Sequence, residues 1–197
     1  MRQLEALKTA VRQLCPEITE EEFSQFDPYF QIREIKKGEY FYAHGEVHKQ
    51  IGFVNKGALR CFYVDENGEV KNTRFIFEHD YAVDYNSFLN QQKSAGAIIA
   101  LEHTELVLIS HNGFYNALKE SANWAQFGRK IADHVFQRTQ HKLDSHLQKT
   151  PEQRYIDLLK KRPELIERVP LYHLASYLGI KRESLSRIRN RIARLRM

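Results

Sequence analysis

The chain has 197 residues, 42% of them apolar, which is enough to form a buried core and excludes an intrinsically disordered protein. Its longest clean apolar run, residues 97–101, is far too short to span a bilayer. The net charge of +5 is uneven, because residues 151–197 hold 12 Lys and Arg against 5 Asp and Glu, whereas residues 1–150 hold 18 against 20. This local excess of cations favours nucleic-acid binding, although a solvated charged face would have the same composition.

The first 120 residues are predicted to combine two short helices with a β-domain. Apolar residues recur at helical spacing over residues 4–14, and Thr19 begins a capping box before a second helix. From about residue 29 to residue 110, aromatic and β-branched segments alternate with turn residues, among which Asn67-Gly68 is the strongest hairpin signal. This pattern predicts an antiparallel β-roll or jelly roll.

The cysteines and histidines in these segments do not form a metal-binding pattern. Cys15 and Cys61 form no CxxC pair, and both are interpreted as reduced core thiols. His134 and His141 lie two helical turns apart, about 10 Å, which is beyond the reach of one ion. We therefore expect no metal and no cofactor. The N-terminus has no continuous apolar run like that of a signal peptide, so we expect a cytoplasmic protein.

One long helix is predicted over residues 121–149, where no proline occurs. Its apolar side chains follow three-and-four spacing at Trp124, Phe127, Ile131 and Val135. This stripe either packs on the chain's own β-domain or forms the seam of a homodimer. The dimer is favoured, because residues 171–190, described below, match a DNA-binding motif that usually binds paired half-sites.

A domain boundary is predicted at residue 150. Thr150 supplies an N-cap hydroxyl, Pro151 occupies the first helical position, and Gln153 is placed to close a capping box. The new helix extends to about Lys161, since Arg162-Pro163 ends it.

Residues 171–190 match the helix-turn-helix pattern. Ala175 is the small residue where two helices cross, and Gly179 tolerates the positive φ of the turn. The apolar positions face the core and are Leu174, Leu178, Ile180, Leu185 and Ile188. Polar and basic side chains occupy the other face of the second helix, whose N-terminal end is expected to enter the major groove of duplex DNA.

Taken together, the β-roll, the long helix and this motif resemble the Crp/Fnr family of bacterial transcription regulators. The family's recognition helix reads R-E-x-x-x-R or E-x-x-S-R, and residues 182–187 (Arg-Glu-Ser-Leu-Ser-Arg) satisfy both. The resemblance implies an α+β protein with three parts: a cyclic-nucleotide-binding-like sensor (1–120), a dimerisation helix (121–149) and a DNA-binding domain (150–197). The family often adds a two-stranded wing, which we expect to be truncated or absent here.

The resemblance assigns base recognition to Arg182, Glu183, Ser186 and Arg187. Arginine donates two hydrogen bonds to guanine and glutamate accepts from cytosine, whereas a carboxylate would repel phosphates, so Glu183 favours specific readout. An intrahelical Glu183–Arg187 ion pair is the alternative, and both are compatible. The wider DNA-binding set also contains Lys181, Ser184 and Arg189. We expect Arg189, Arg191, Arg194 and Arg196 to touch phosphates or solvent.

The expected effector site is altered. In family members that bind cyclic nucleotides, a Gly-Glu-Leu segment and an Arg-Ser-Ala segment hold the ribose and the cyclic phosphate; here the matching stretches are residues 83–88 and 92–96, which lack that arginine. A lysine does not replace the planar fork of an arginine, so we expect weak or no binding of cyclic AMP. Asp84, Lys93 and Ser94 remain candidate effector contacts, and the alternative is that they are loop residues.

The sequence therefore predicts a homodimeric, non-enzymatic regulator that binds a palindromic operator. A small-molecule effector and RNA polymerase are further candidate partners, and no membrane is expected. Two alternatives stay open: a β-roll interaction module without DNA readout, and a metal-dependent jelly-roll enzyme.

Overall fold

A computed structural model of the chain describes residues 2–194. The helices are α1 (Glu5–Leu14), α2 (Glu20–Phe26), α3 (Tyr85–Asn90), α4 (His111–Glu120), α5 (Ala122–Gln148), α6 (Pro151–Lys161), α7 (Pro163–Arg168), α8 (Leu171–Tyr177) and α9 (Arg182–Arg194). The strands are β1 (Phe30–Ile35), β2 (Tyr40–Tyr42), β3 (Gln50–Lys56), β4 (Leu59–Val64), β5 (Val70–Ile76), β6 (Tyr81–Ala82), β7 (Ala97–Ala100) and β8 (Thr104–Ser110). Arg2–Leu4 and Asp27–Tyr29 are 3₁₀ turns.

The strands form two four-stranded sheets, in the orders β1-β8-β3-β6 and β2-β7-β4-β5. In the first sheet, β8 is antiparallel to both β1 and β3, so that Ile109 lies opposite Phe30 on one side and Ile51 on the other. Buried side chains from both sheets meet in one cluster, which includes Phe41 of β2 and Leu106 of β8. The predicted α+β class with an antiparallel β-roll is confirmed.

The chain divides into two compact units. The first comprises Met1–Cys61 and Ile76–Phe136, and the second comprises Phe62–Phe75 and Gln137–Met197. Most of the β4–β5 hairpin thus groups with the C-terminal helices, whereas the sequence-based division assigned it to the sensor.

In the first unit, aromatic packing joins the N-terminal helices to the start of α5. Trp124 of α5 contacts Phe23 and Phe26 of α2 at ring-centroid distances of 5.7 and 5.6 Å. The same cluster contains Leu7 and Val11 of α1. The beginning of the long helix is therefore part of the core of this unit.

Local signals in the sequence specify the starts of two helices and one turn. Thr19 and Glu22 form the predicted capping box of α2, and Thr150 and Gln153 form that of α6. At the β4–β5 turn, Gly68 has φ +78°, as the Asn67-Gly68 pair predicts. The short helices α3 and α7 were not predicted.

Candidate nucleic-acid interface

Helices α8 and α9 form the predicted helix-turn-helix. The backbone N–H of Leu178 donates to Leu174 O at 2.9 Å, and that of Ile180 donates to Ala175 O at 3.0 Å, which closes α8. Gly179 between them has φ +70°, a conformation that favours glycine. Leu174 and Leu185 are 2% and 0% exposed, so a packed interface fixes the orientation of the second helix.

The exposed side of α9 presents a compact polar face. At about 100° per residue, Ser186, Asn190, Glu183 and Arg187 project within an arc of about 100°, and all four are exposed. The opposite side carries the buried Leu185 and Ile188. This arrangement leaves carboxylate, guanidinium, amide and hydroxyl groups together at one surface.

The other predicted DNA contacts lie at the margins of this face. Arg182 and Arg189 are exposed beside the Leu185 edge, and Lys181 is exposed in the turn before the helix. Ser184 is half-buried, and its Oγ accepts a hydrogen bond of 3.4 Å from Nη2 of Arg187. Ser184 therefore helps to orient Arg187.

The set of base readers assigned by resemblance omitted Asn190, although its side chain points the same way as Glu183 and Arg187. The signal for it was present, since Asn190 lies seven residues after Glu183 and three after Arg187. An asparagine amide matches the paired donor and acceptor of adenine in the major groove.

One of the residues predicted to touch phosphates or solvent forms an ion pair within the chain. Arg191 forms a two-point ion pair with Glu152 of α6, with Nε donating to Oε1 at 3.0 Å and Nη2 donating to Oε2. It thereby connects the recognition helix to α6. Arg194 is exposed, and Arg196 lies outside the described residues.

The candidate effector contacts Asp84 and Ser94 are hydrogen-bonded to the protein itself. Oδ1 of Asp84 accepts from the backbone N–H of Asn86 and Ser87 at 3.1 and 3.2 Å, and so caps α3. Its Oδ2 accepts from Oγ of Ser94 at 2.6 Å. Lys93 is exposed. The two stretches at residues 83–88 and 92–96, called the cassette from here on, are therefore joined to each other through the carboxylate of Asp84.

A buried histidine lies beside this cassette. His48 is 0% exposed and stacks on Tyr42 at a ring-centroid distance of 3.9 Å. Its Nδ1 accepts from the backbone N–H of Asp84 at 3.0 Å, which places the proton of the neutral ring on Nε2. Burial lowers the pKa of His48 and so favours this neutral form.

The four predicted dimer-seam residues are largely used within their own chain. Trp124 and Phe127 are 4% and 5% exposed in the core of the first unit, Ile131 packs against that core, and Val135 is half-buried. The physical reason is that α1 and α2 cover this side of the helix. The apolar side chains that α5 does expose are Phe136, Leu143 and Leu147, at 63%, 52% and 75%.

Residues 32–121 match the family model described as the cyclic nucleotide-binding domain. FixK2 from Bradyrhizobium japonicum has a TM-score of 0.70 at 17% identity, covering 84% of this chain and 85% of that one. The catabolite activator protein of Thermus thermophilus scores 0.58 at 18% identity, covering 92% and 86%. The chain has the fold of the Crp/Fnr transcription regulators.

A regulator assigned to the Crp/Fnr family from Eubacterium rectale, with a TM-score of 0.67 at 16% identity over 89% of this chain and 83% of its own, has the same fold. No curated protein matches the sequence.

Within residues 2–194, no group of three or more His, Cys, Asp or Glu side chains is placed to hold a metal ion. None of the described helices is long and apolar enough to cross a bilayer. The first unit thus contains the cassette of the β-roll, and the second contains the candidate DNA-reading face on α9.

Proposed function

We propose that this chain is a homodimeric, sequence-specific DNA-binding transcription regulator whose β-roll is a sensor. The observation that carries the proposal is the exposed face of α9, where Glu183, Ser186, Arg187 and Asn190 lie together. A generic phosphate-binding surface needs cations only, and a carboxylate there would weaken it. A carboxylate, a guanidinium and an amide on one face are instead suited to reading donor and acceptor patterns on base edges.

A second copy of the chain is the proposed partner at α5. Phe136, Gln140, Leu143 and Leu147 follow one another at spacings of four, three and four, which puts them within an arc of about 60° on one helix face. All four are exposed. This spacing is that of a coiled-coil seam, in which the same face of two helices meets. We propose this face for dimerisation instead of the stripe that begins at Trp124.

Cyclic AMP is not the proposed effector, whose identity the sequence does not give. The stretch that matches the phosphate-binding segment lacks its arginine, and the carboxylate of Asp84 already accepts hydrogen bonds from the start of α3 and from Ser94. A ligand of another class would have to prefer one arrangement of the dimer in order to gate DNA binding. RNA polymerase is the further proposed partner of the DNA-bound form.

Selection from a genomic fragment library tests the proposal. At an ionic strength of about 0.15 M, the full chain should enrich a palindromic motif with half-sites about 10 bp apart, or a small multiple of that spacing. Glu183→Ala should change the enriched sequence, whereas Glu167→Ala, which removes a carboxylate on α7, should leave it unchanged. Failure to enrich any motif would favour an interaction module that does not bind DNA. Stoichiometric metal in the purified protein would favour the enzyme alternative.

Calorimetric titration with cyclic AMP tests the sensor separately. We expect no saturable binding at micromolar concentrations. Saturable micromolar binding would refute the interpretation that the cassette, with Asp84 bonded to Ser94, does not bind cyclic AMP. It would leave the DNA-binding proposal intact.

A further inference from the structure

Helix α5 ends at Gln148 and α6 begins at Pro151, so the two helices are joined by Lys149 and Thr150 alone. Arg154 lies in the first turn of α6 and is half-buried. Its backbone N–H donates to Thr150 O at 3.0 Å, which keeps this residue within the regular helix. Its side chain therefore leaves a rigid element next to the joint.

The guanidinium of Arg154 donates to backbone carbonyls at the ends of two helices. Nη1 donates to Lys149 O at 2.8 Å and to His146 O at 3.4 Å, both at the end of α5. Nη2 donates to Leu178 O at 2.9 Å, at the end of α8. The last carbonyls of a helix lack intrahelical partners and carry the negative end of its dipole, so a cation shared between two such ends stabilises both.

The contact on α8 lies at the turn of the helix-turn-helix. Leu178 is followed by Gly179, and a Cβ added there would lie 4.0 Å from Nη2 of Arg154. The chain changes direction at this glycine and enters the recognition helix three residues later. Arg154 thus connects the end of the long helix to the point that sets the direction of α9.

Only an arginine suits this geometry. Its planar fork places donors on two terminal nitrogens that point in different directions, so one side chain reaches carbonyls on two helices. A lysine has a single nitrogen at its end and would leave one helix end without its donor. The Glu152–Arg191 ion pair starts from the same turn of α6, so this turn contacts the end of α5, the helix-turn-helix turn and the recognition helix.

We propose that Arg154 is a positioning residue for DNA readout: it fixes the angle between the end of α5 and the recognition helix. The inference rests on the proposed function, in which two copies read paired half-sites. In a dimer joined through α5, this angle sets the distance and phase between the two recognition helices. Base identity at each half-site is read by α9 and does not depend on Arg154.

Binding to a series of operators with different half-site spacings tests the proposal. We expect Arg154→Ala to lower affinity for the optimal full site about tenfold and to flatten the preference for one spacing. Affinity for an isolated half-site and the preferred bases should stay within about twofold of wild type. Arg154→Lys should resemble Arg154→Ala in spacing tolerance, because it restores the charge without the fork. Lys161→Ala, which removes an exposed cation from the same helix, should behave as wild type.

A spacing profile of Arg154→Ala that equals that of Lys161→Ala would overturn the proposal. An equal loss of affinity for full sites and half-sites would overturn it too, since that result indicates a phosphate contact or a general loss of folding.

A distance measurement that needs no DNA separates this inference from the proposed function. Spin labels at Asp144 of α5 and Ala193 of α9, both exposed positions, report the angle within one protomer when Cys15 and Cys61 are replaced and labelled chains are diluted with unlabelled ones. Arg154→Ala should broaden the distance distribution. An unchanged distance distribution would refute the positioning role of Arg154. A wild-type protein that enriches no DNA motif would instead refute the proposed function, and the distance measurement would still test whether Arg154 fixes the angle.

Discussion

Nδ2 of Asn72 in the β4–β5 hairpin lies 3.2 Å from Nδ1 of His173 in α8, although 100 residues separate them in the sequence. The two residues are 4% and 7% exposed. Beside them, Ser176 accepts from the backbone N–H of Asn72 at 3.0 Å and donates to Val70 O at 2.8 Å. The hairpin tip therefore forms one polar interface with the first helix of the helix-turn-helix.

Loss of the Ser176 hydroxyl should loosen this interface. Ser176→Ala leaves Val70 O and the N–H of Asn72 without this partner, and we expect it to lower the free energy of unfolding by about 1–3 kcal/mol. Chemical denaturation measures the change. Ser186→Ala, at an exposed position of α9, should stay within about 0.5 kcal/mol of wild type, and equal stability of the two variants would contradict the assignment.

Arg187→Ala should relax specificity at one base pair of the half-site and cost about 1–3 kcal/mol of discrimination there. Arg194→Ala should weaken binding to all sequences alike and reduce the salt dependence, because a phosphate contact carries no sequence information. Quantitative binding to single-substitution operators distinguishes the two outcomes. Uniform losses in both variants would show that Arg187 does not read a base.

Leu143→Asp should dissociate the proposed dimer, since it places a carboxylate in the middle of the exposed apolar face of α5. Sedimentation analysis at several protein concentrations measures the oligomeric state. His141→Asp introduces the same carboxylate at an exposed position about 160° away around the helix, and it should leave the state unchanged. A Leu143→Asp variant that sediments like the His141→Asp variant would rule out this face as the seam.

Glu22 should make stability depend on acid pH. Its carboxylate accepts from Ser121 Oγ at 2.6 Å and from the N–H of Thr19 at 3.0 Å, and these hydrogen bonds, led by that from Ser121, lower its pKa from 4.5 to about 2. A lowered folded-state pKa stabilises the fold above the unfolded value of 4.5, and the contribution is lost as pH falls towards 2.

Glu22→Gln should therefore cost about 1 kcal/mol at neutral pH, a value reduced by the partial solvent exposure of the group. The difference from wild type should shrink as pH falls from 4.5 towards 2. Denaturation curves over this range measure it, with Glu21→Gln at an exposed neighbouring position as the control. A stability difference between Glu22→Gln and wild type that does not vary with pH would show that the hydrogen bonds of the Glu22 carboxylate are not its source.

Local sequence signals were sufficient where the deciding contacts lie within about four residues. The capping box of Thr150, the positive φ of Gly179 and the hairpin at Asn67-Gly68 are of this kind, and the long helix observed at Ala122–Gln148 matches the predicted 121–149. The pattern of α9 was equally legible, because helical periodicity alone separates Leu185 and Ile188 from the polar face.

The remaining features depended on contacts between segments that are distant in sequence. Periodicity identified the stripe at Trp124 as apolar but could not show that α1 and α2 cover it, and so could not select Leu143 and Leu147 as exposed apolar residues of α5. In the same way, no local pattern distinguishes Arg154 from the other cations of the sequence. Its contact with Leu178 O, 2.9 Å from Nη2, exists only in the folded chain. The sequence by itself determined most of the elements, α3 and α7 excepted, and the chemistry of the proposed reading face, because these follow from neighbouring residues. Only the tertiary structure decided which side chains are covered and which helix ends share a donor, because burial and hydrogen bonding depend on how distant segments pack.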